Sequence, residues 1–337
     1  MNNKKAGAYD SPVKATLKGI SDLFKKQQKA GELSDTDRLD GMSVMVTGAS
    51  SGLGFATAVE LAKRGARVIM ACRSGIPEKG EEIKRLSGSE NIDMIPVDLS
   101  DIYSIKNLVN QLKANNLKLN ILICNAAVVP RNSRKTRQGL EEMFMVNYLA
   151  KFLLIRWLLD EDLLELLGSV YPRIIIVSSE SHRNPKEYEW ENFGQYKDYG
   201  MNKTVELYGY YKLLLTTFVN ELSRRLNIEG TRISVFSLCP GPVNSNIARE
   251  TPRLFQPLLK LIFKIFFRSP AKAALPVIYL AASKDLEGKA LDYLFIFERK
   301  DMDDKTRDPE NGRKLWELSE ALLDDIGVRF KKTINKL

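Results

Sequence analysis

VMVTGASSGLGFATAVELAKRGARVIMACR, residues 44–73, decides how the rest of this 337-residue chain is read. An apolar run enters a turn carrying Gly48, Gly52 and Gly54, a segment of helical period follows, and a second apolar run ends at Cys72 and Arg73. A turn this tight needs residues without Cβ, so that backbone N–H groups and a helix N-terminus can approach a pyrophosphate. A third glycine lets the helix pack close to the strand. A merely connecting Gly/Ser loop has no need of a strand before it, a helix after it and a second strand at this distance. The turn residues Gly48, Ser50, Ser51, Gly52, Leu53 and Gly54 are therefore expected to hold a dinucleotide.

Outward from this unit the same alternation continues. Seven short β-rich runs occur at 42–47, 66–72, 92–97, 119–124, 173–178, 231–238 and 291–297, several of them apolar without alternation, as strands covered on both faces should be. Helical periodicity falls near 52–64, 77–87, 101–116, 137–167, 203–228 and 270–283. The pattern predicts an α/β fold, a doubly wound Rossmann domain with a seven-stranded parallel sheet over 41–298. An extension at 1–40 precedes it, with Val13, Leu17, Ile20, Leu23 and Phe24 at helical spacing. A charged extension at 299–337 follows, with a short amphipathic helix at 314–323 expected to dock on the core.

Composition narrows the chemistry. Lys plus Arg number 51 against 42 Asp plus Glu, a net charge of +9 that suits an anionic ligand, a membrane surface or nucleic acid. The basic residues are spread and no nucleic-acid motif occurs, so no nucleic-acid partner is expected. Three cysteines at unrelated spacings form neither a disulfide framework nor a metal site, and one histidine, His182, cannot build a multi-histidine centre. No metal is expected. With no signal-peptide core and no long apolar run in the first 40 residues, a cytoplasmic location is the expectation, with membrane association left open.

At the end of the second strand stands Arg73, and the nearest acid is Glu78. An acid there would suit the ribose of NAD(H), whereas a cation suits the 2′-phosphate of NADP(H), the cofactor expected here, with Ser50 as a second phosphate contact. Asp98, after the third strand, reads either as an adenine-edge contact or as a plain helix N-cap.

Several motifs now combine: TGASSGLG (47–54), CNAAV (124–128), VNYLAKFLL (146–154), IIIVSS (174–179), YGYYK (208–212) and CPGPV (239–243). From about 42 to 297 the chain resembles the short-chain dehydrogenases/reductases, whose glycine motif is TGxxxGxG. The resemblance implies an active-site tetrad of Asn147, Ser179, Tyr208 and Lys212. It also implies cofactor contacts at Leu99, Asn125, Ala126, Pro240, Gly241 and Val243, as well as at Tyr208 and Lys212. RVIMACR, the long separation of Ser179 from Tyr208 and the closing KLWELSE look like the branch containing retinol dehydrogenases and protochlorophyllide reductases. Against the pattern, Ala127 replaces a glycine, Tyr211 a serine, and Ala150-Lys151 a common Gly-His.

The chemistry can be argued beside the resemblance. Hydride transfer to a carbonyl leaves an oxyanion that needs a proton donor. A free tyrosine titrates at about 10, and an ammonium one helical turn away is expected to lower it. That assigns Tyr208 the proton, Lys212 its tuning and the nicotinamide ribose, and Ser179 the substrate oxygen. For Asn147, anchoring a water relay behind Lys212 rests on the resemblance alone. Tyr199 and Lys203 share the four-residue spacing, but Lys212 opens the apolar-periodic run toward the next strand, which favours YGYYK. Ser178 competes with Ser179, and the family motif favours the second serine.

Tyr188, Trp190, Phe193, Tyr196 and Tyr199 either roof the substrate site or pack on the surface or a partner. The stretch 253–270, with Lys260, Lys264 and Arg268 among Leu, Ile and Phe, reads as a lid resting on anionic lipid, or else as a core or dimer helix. The expected function is hydride transfer between NADP(H) and a small hydrophobic carbonyl or alcohol, in a homo-oligomer. The alternatives are an NADP(H)-binding sensor without turnover and, less favoured, a protochlorophyllide reductase-like enzyme.

Overall fold

The computed structural model describes residues 31–168, 170–228, 232–241, 243 and 268–331. The amphipathic stretch at 13–24 and nearly all of 253–270 lie outside them. One sheet runs β3-β2-β1-β4-β5-β6-β7-β8, with β1 Ser43–Thr47, β2 Arg67–Cys72, β3 Ile92–Pro96, β4 Ile121–Cys124, β5 Arg173–Val177, β6 Ser234–Cys239 and β7 Leu291–Phe295. These seven pair in parallel. The sheet has an eighth strand where seven were expected: β8, Glu298–Arg299, folds back antiparallel on β7 through a turn at Ile296 (φ 61°). Two residues are too few to give a periodic signal.

Side-chain alternation along each strand feeds two cores. Met45, Ile69, Leu122, Ile174 and Ile176 pack on the face covered by helices Ile102–Ala114, Ala150–Asp160 and Met201–Ile228. Val44, Val46, Val68, Met70, Ile123 and Ile175 pack on the opposite face, with helices Gly52–Lys63 and Pro270–Ala282. Both faces being buried explains why these strands are apolar throughout.

The expected helix at 137–167 is shorter than its periodicity. Residues 135–141 make a tight turn, with Gly139 at φ 81° and a Lys135–Glu141 bridge. Helix then runs through Glu142–Phe144, a π-helical turn Met145–Leu149, and Ala150–Asp160. It stops at Asp162 (φ 51°), and Leu164 bridges Leu119 instead.

The C-terminal segment packs on the first core. Helix Pro309–Asp325 places Trp316 against Phe152 (5.0 Å between ring centroids) and Phe218 (6.0 Å), and Tyr148 and Ser319 hydroxyls meet at 2.6 Å. Arg156 and Arg225 stack on Trp316. Among the described residues no helix is long and apolar enough to cross a membrane.

Candidate active site

Strand order reverses between β1 and β4, and the carboxyl ends of these strands open a crevice, the place where ligands bind in such sheets. The cleft there has a volume of about 540 Å³. Its floor is the glycine turn. Gly48 and Gly52 adopt φ 69° and 56°, which side chains resist. A Cβ on Gly54 would stand 2.2 Å from the Gly48 carbonyl oxygen, so the third glycine is what lets helix Gly52–Lys63 close on the turn. Ser51 precedes that helix without capping it, and its first turn holds no acid. The first amides and the positive end of the helix dipole therefore face the cleft uncompensated, a cradle for an anion.

All the residues expected to hold the cofactor or to form the tetrad line this cleft except Asn147. Arg73 is 63% exposed and stands 3.9 Å from both Asp98 and Glu142, an unhurried pairing that leaves it open to another anion. Asp98 is not an N-cap: Asp101 fills that role by accepting from the Tyr103 amide, while Asp98 accepts from the Ser100 amide and hydroxyl. Asn125 donates to the Thr47 and Gly48 carbonyls and so ties the end of β4 to the glycine turn. Arg134, which the sequence did not single out, also lines the cleft and pairs with Glu142.

At the other end Ser179, Tyr208 and Lys212 converge. Lys212 is buried and donates to the Val177 carbonyl at 2.9 Å, with its ammonium 5.6 Å from the Tyr208 ring centre. Burial, and then the charge of Lys151, push Lys212 down to about 7. The expected lowering of the Tyr208 phenol is corrected: burial raises it to about 12, Cys239 adds to the rise, and the Ser179 hydroxyl opposes it. The competing residues are engaged elsewhere. Ser178 meets Thr216 at 2.8 Å in the core, Tyr199 donates to Glu141 at 2.9 Å, and Lys203 is exposed.

Asn147 is buried in the π-helical turn, where its side chain accepts from the Val128 amide and donates to the Val128 carbonyl, both at 2.8 Å. Its amide group thus holds the cleft wall at Val128. A roof of aromatics is also corrected. Tyr188 stacks on Trp190, Phe193 packs on Phe144, and Tyr196 and Tyr199 bond Ser133 and Glu141, so none of the five lines the cleft. Its apolar wall is instead Ala126, Ala127, Val128, Val129 and Pro130. Arg268 leaves the expected lipid-facing stripe: it bridges Val243, half-buried beside Gly241.

Cys72, Cys124 and Cys239 are buried and unpaired, and burial pushes their thiols to about 11, 12 and 11. Among the described residues no cluster could hold a metal ion. His182 is buried, donates through Nδ1 to the Ser179 carbonyl (2.7 Å) and accepts at Nε2 from the Asp303 amide (3.3 Å). Burial holds it down to about 4, so it stays neutral in this role.

Comparison with known proteins agrees with this architecture. The sequence model of the short chain dehydrogenase family matches residues 42–191. Retinol dehydrogenase 14 of Mus musculus is 36% identical over 88% of this chain and 90% of its own. Retinol dehydrogenase 12 of Mus musculus is 35% identical over 87% and 90%. Among solved structures, the Pseudomonas aeruginosa RhlG/NADP active-site complex superposes with a TM-score of 0.60 at 23% identity, over 78% of this chain and 98% of that one. The chain belongs to the short-chain dehydrogenase family, in its retinol dehydrogenase-like branch, and is an oxidoreductase acting on CH–OH/C=O groups with a nicotinamide cofactor.

Proposed function

We propose that this protein is an NADP(H)-dependent reductase of small hydrophobic carbonyls, working reversibly on the corresponding alcohols. The observation that carries the reading is one cleft in which an uncapped helix end, Arg73, and the group Ser179, Tyr208 and Lys212 lie in series beside an apolar wall. The residues fit the dinucleotide: the uncapped start of helix Gly52–Lys63, brought close to the turn by Gly54, offers bare amides to a pyrophosphate, and Arg73 offers a cation where a 2′-phosphate would lie. When bound, the nicotinamide supplies the hydride. The chain supplies the rest. Ser179 orients the carbonyl oxygen and stabilises the charge that grows on it. Tyr208, protonated at neutral pH because burial holds its phenol near 12, gives that oxygen a proton. Lys212 sits next to the phenol and is the group placed to hold the ribose. Asn147 fixes Val128 and thereby the wall against which an apolar substrate lies.

Retinoids and comparable lipid carbonyls are the first substrates to try, because the relatives above are named for retinol. The test is oxidation of NADPH and of NADH by the purified protein with retinoid, steroid and aliphatic carbonyls, using Tyr208→Phe and Tyr199→Phe as paired variants. Turnover with NADPH that only Tyr208→Phe abolishes is the expected result. NADPH binding without turnover on any of them would replace this reading by a cofactor-binding sensor. Contact with a membrane is proposed on sequence alone, from Lys260 and Lys264 among the apolar residues of 253–267.

A further inference from the structure

The reaction proposed above uses one buried lysine, and the same core holds a second. Lys151 is 2% exposed and lies four residues after Asn147, where the family pattern has a histidine. Its helix, AKFLLIRWLLD, is apolar on nearly every side, so a charge there is costly unless it is held for a purpose. Its ammonium donates to the Ala126 carbonyl at 2.9 Å and to the Val146 carbonyl at 2.8 Å. Ala126 is cleft wall just beyond β4, and Val146 is the residue before Asn147 in the π-helical turn. Lys212, 1% exposed, donates in the same way to the Val177 carbonyl at the end of β5, the strand paired with β4. Each ammonium thus rests on carbonyl oxygens at the ends of neighbouring strands.

The other groups facing the pair carry no charge near neutrality. Cys124 of β4 faces Lys151, Cys239 of β6 faces Lys212 and Tyr208, and all these thiols and the phenol are pushed to about 11 or 12 by burial. The carboxylate of Glu180 acts on Cys239 and is engaged by Arg183 and Lys300. Lys151 itself is held down to about 8 by burial, so it is mostly charged at pH 7.

We infer that Lys151 is a positioning residue of the reaction centre, its ammonium bracing the cofactor-side turn at Ala126 from behind, next to the strand end on which the Lys212 ammonium rests. Its consequence for catalysis rests on the dehydrogenase reading, but its measurement does not. The full chain is labelled with [13Cε]lysine, the Lys212 resonance is assigned with Lys212→Met, and its titration is followed from pH 5 to 10. In Lys151→Met the Lys212 midpoint should rise by about one pH unit, because a like charge has gone. In Lys151→Arg, which keeps the charge, it should stay in place. NADPH binding followed by fluorescence should weaken about threefold or more in Lys151→Met, as the brace on Ala126 is lost. Lys151→Gln carries the same expectations and replaces Lys151→Met if that variant does not fold. A Lys212 midpoint unmoved in the neutral variant, or full NADPH affinity there, overturns the inference. Absence of turnover in the unmodified protein would refute the dehydrogenase reading and leave both measurements standing.

Discussion

Replacing Gly54 by alanine tests the glycine turn at its tightest point. The added Cβ would meet the Gly48 carbonyl oxygen at 2.2 Å and Asn125 Nδ2 at 2.4 Å, against an ordinary separation of roughly 3.4 Å or more. A backbone oxygen cannot rotate away as a side chain can, so the turn must move by about an ångström. Forcing a methyl into a packed site costs about 1–3 kcal/mol. Asn125 also loses alignment with the Thr47 and Gly48 carbonyls, now at 3.0 and 3.3 Å, at about 1 kcal/mol for each bond. Alanine returns about 1 kcal/mol of helix propensity. The net loss is about 2–4 kcal/mol, which for a chain of this length lowers the melting temperature by about 3–6 °C. NADPH affinity should fall at least about tenfold, since the amides that would receive the phosphates move with the turn. Thermal unfolding and fluorescence titration read both effects. Gly88→Ala is the control: Gly88 has φ 72° but nothing within 4 Å of its missing Cβ, so it carries backbone strain without collision and leaves NADPH binding unchanged. A Gly54→Ala protein that unfolds and binds NADPH as the parent does would refute the steric argument.

Three further outcomes are expected. Arg73→Asp should lower kcat/KM for NADPH at least about tenfold relative to NADH, because an acid repels the 2′-phosphate and suits a free ribose; steady-state kinetics with both cofactors check it. The thiols should resist iodoacetamide at pH 7.5 in the native protein and react on unfolding, since burial keeps all three protonated; mass spectrometry counts the adducts. The Glu161 carboxylate, bonded by Lys113 and Lys331, is held down to about 2. Its folded value lies below its unfolded one, so its contribution is complete above about pH 4.5 and disappears as pH falls toward 2. Glu161→Gln should flatten that part of the stability profile, as measured by urea unfolding.

Much of the fold was legible because both faces of the sheet are covered: continuous apolar runs marked β1 to β7, and three glycines marked the turn. What escaped were features without a period. β8 is two residues long, and the expected helix around Asn147 ran past Gly139 and Asp162 because apolar spacing does not report positive φ. At the site, motif spacing brought Ser179, Tyr208, Lys212 and the turn to one cleft. Direction of side chains was another matter: nothing in VNYLAKFLL says that the Asn147 amide turns to Val128, and aromatic content alone could not tell a roof from a packed loop. The phenol was misjudged because proximity to an ammonium is written in the i, i+4 spacing, whereas burial is not. Lys151 did leave a trace, as the lysine that stands where the family pattern has a histidine, in the first turn of a helix apolar on nearly every side.

The bonds of His182 have a consequence for where this protein can be cut. A fragment ending at residue 298 would retain the seven parallel strands and every side chain that lines the cleft. It would also leave Nε2 of His182 without the Asp303 amide and Glu180 without Lys300, both within three residues of Ser179. Such a fragment would also take Trp316 away from Phe152 and Phe218 and Ser319 away from Tyr148, so the serine that meets the substrate would lose its backing along with part of the core behind it. The C-terminal limit of a working protein therefore lies beyond the sheet, and shortened versions designed by matching the sheet alone would forfeit both the packing of Trp316 and the support of the serine.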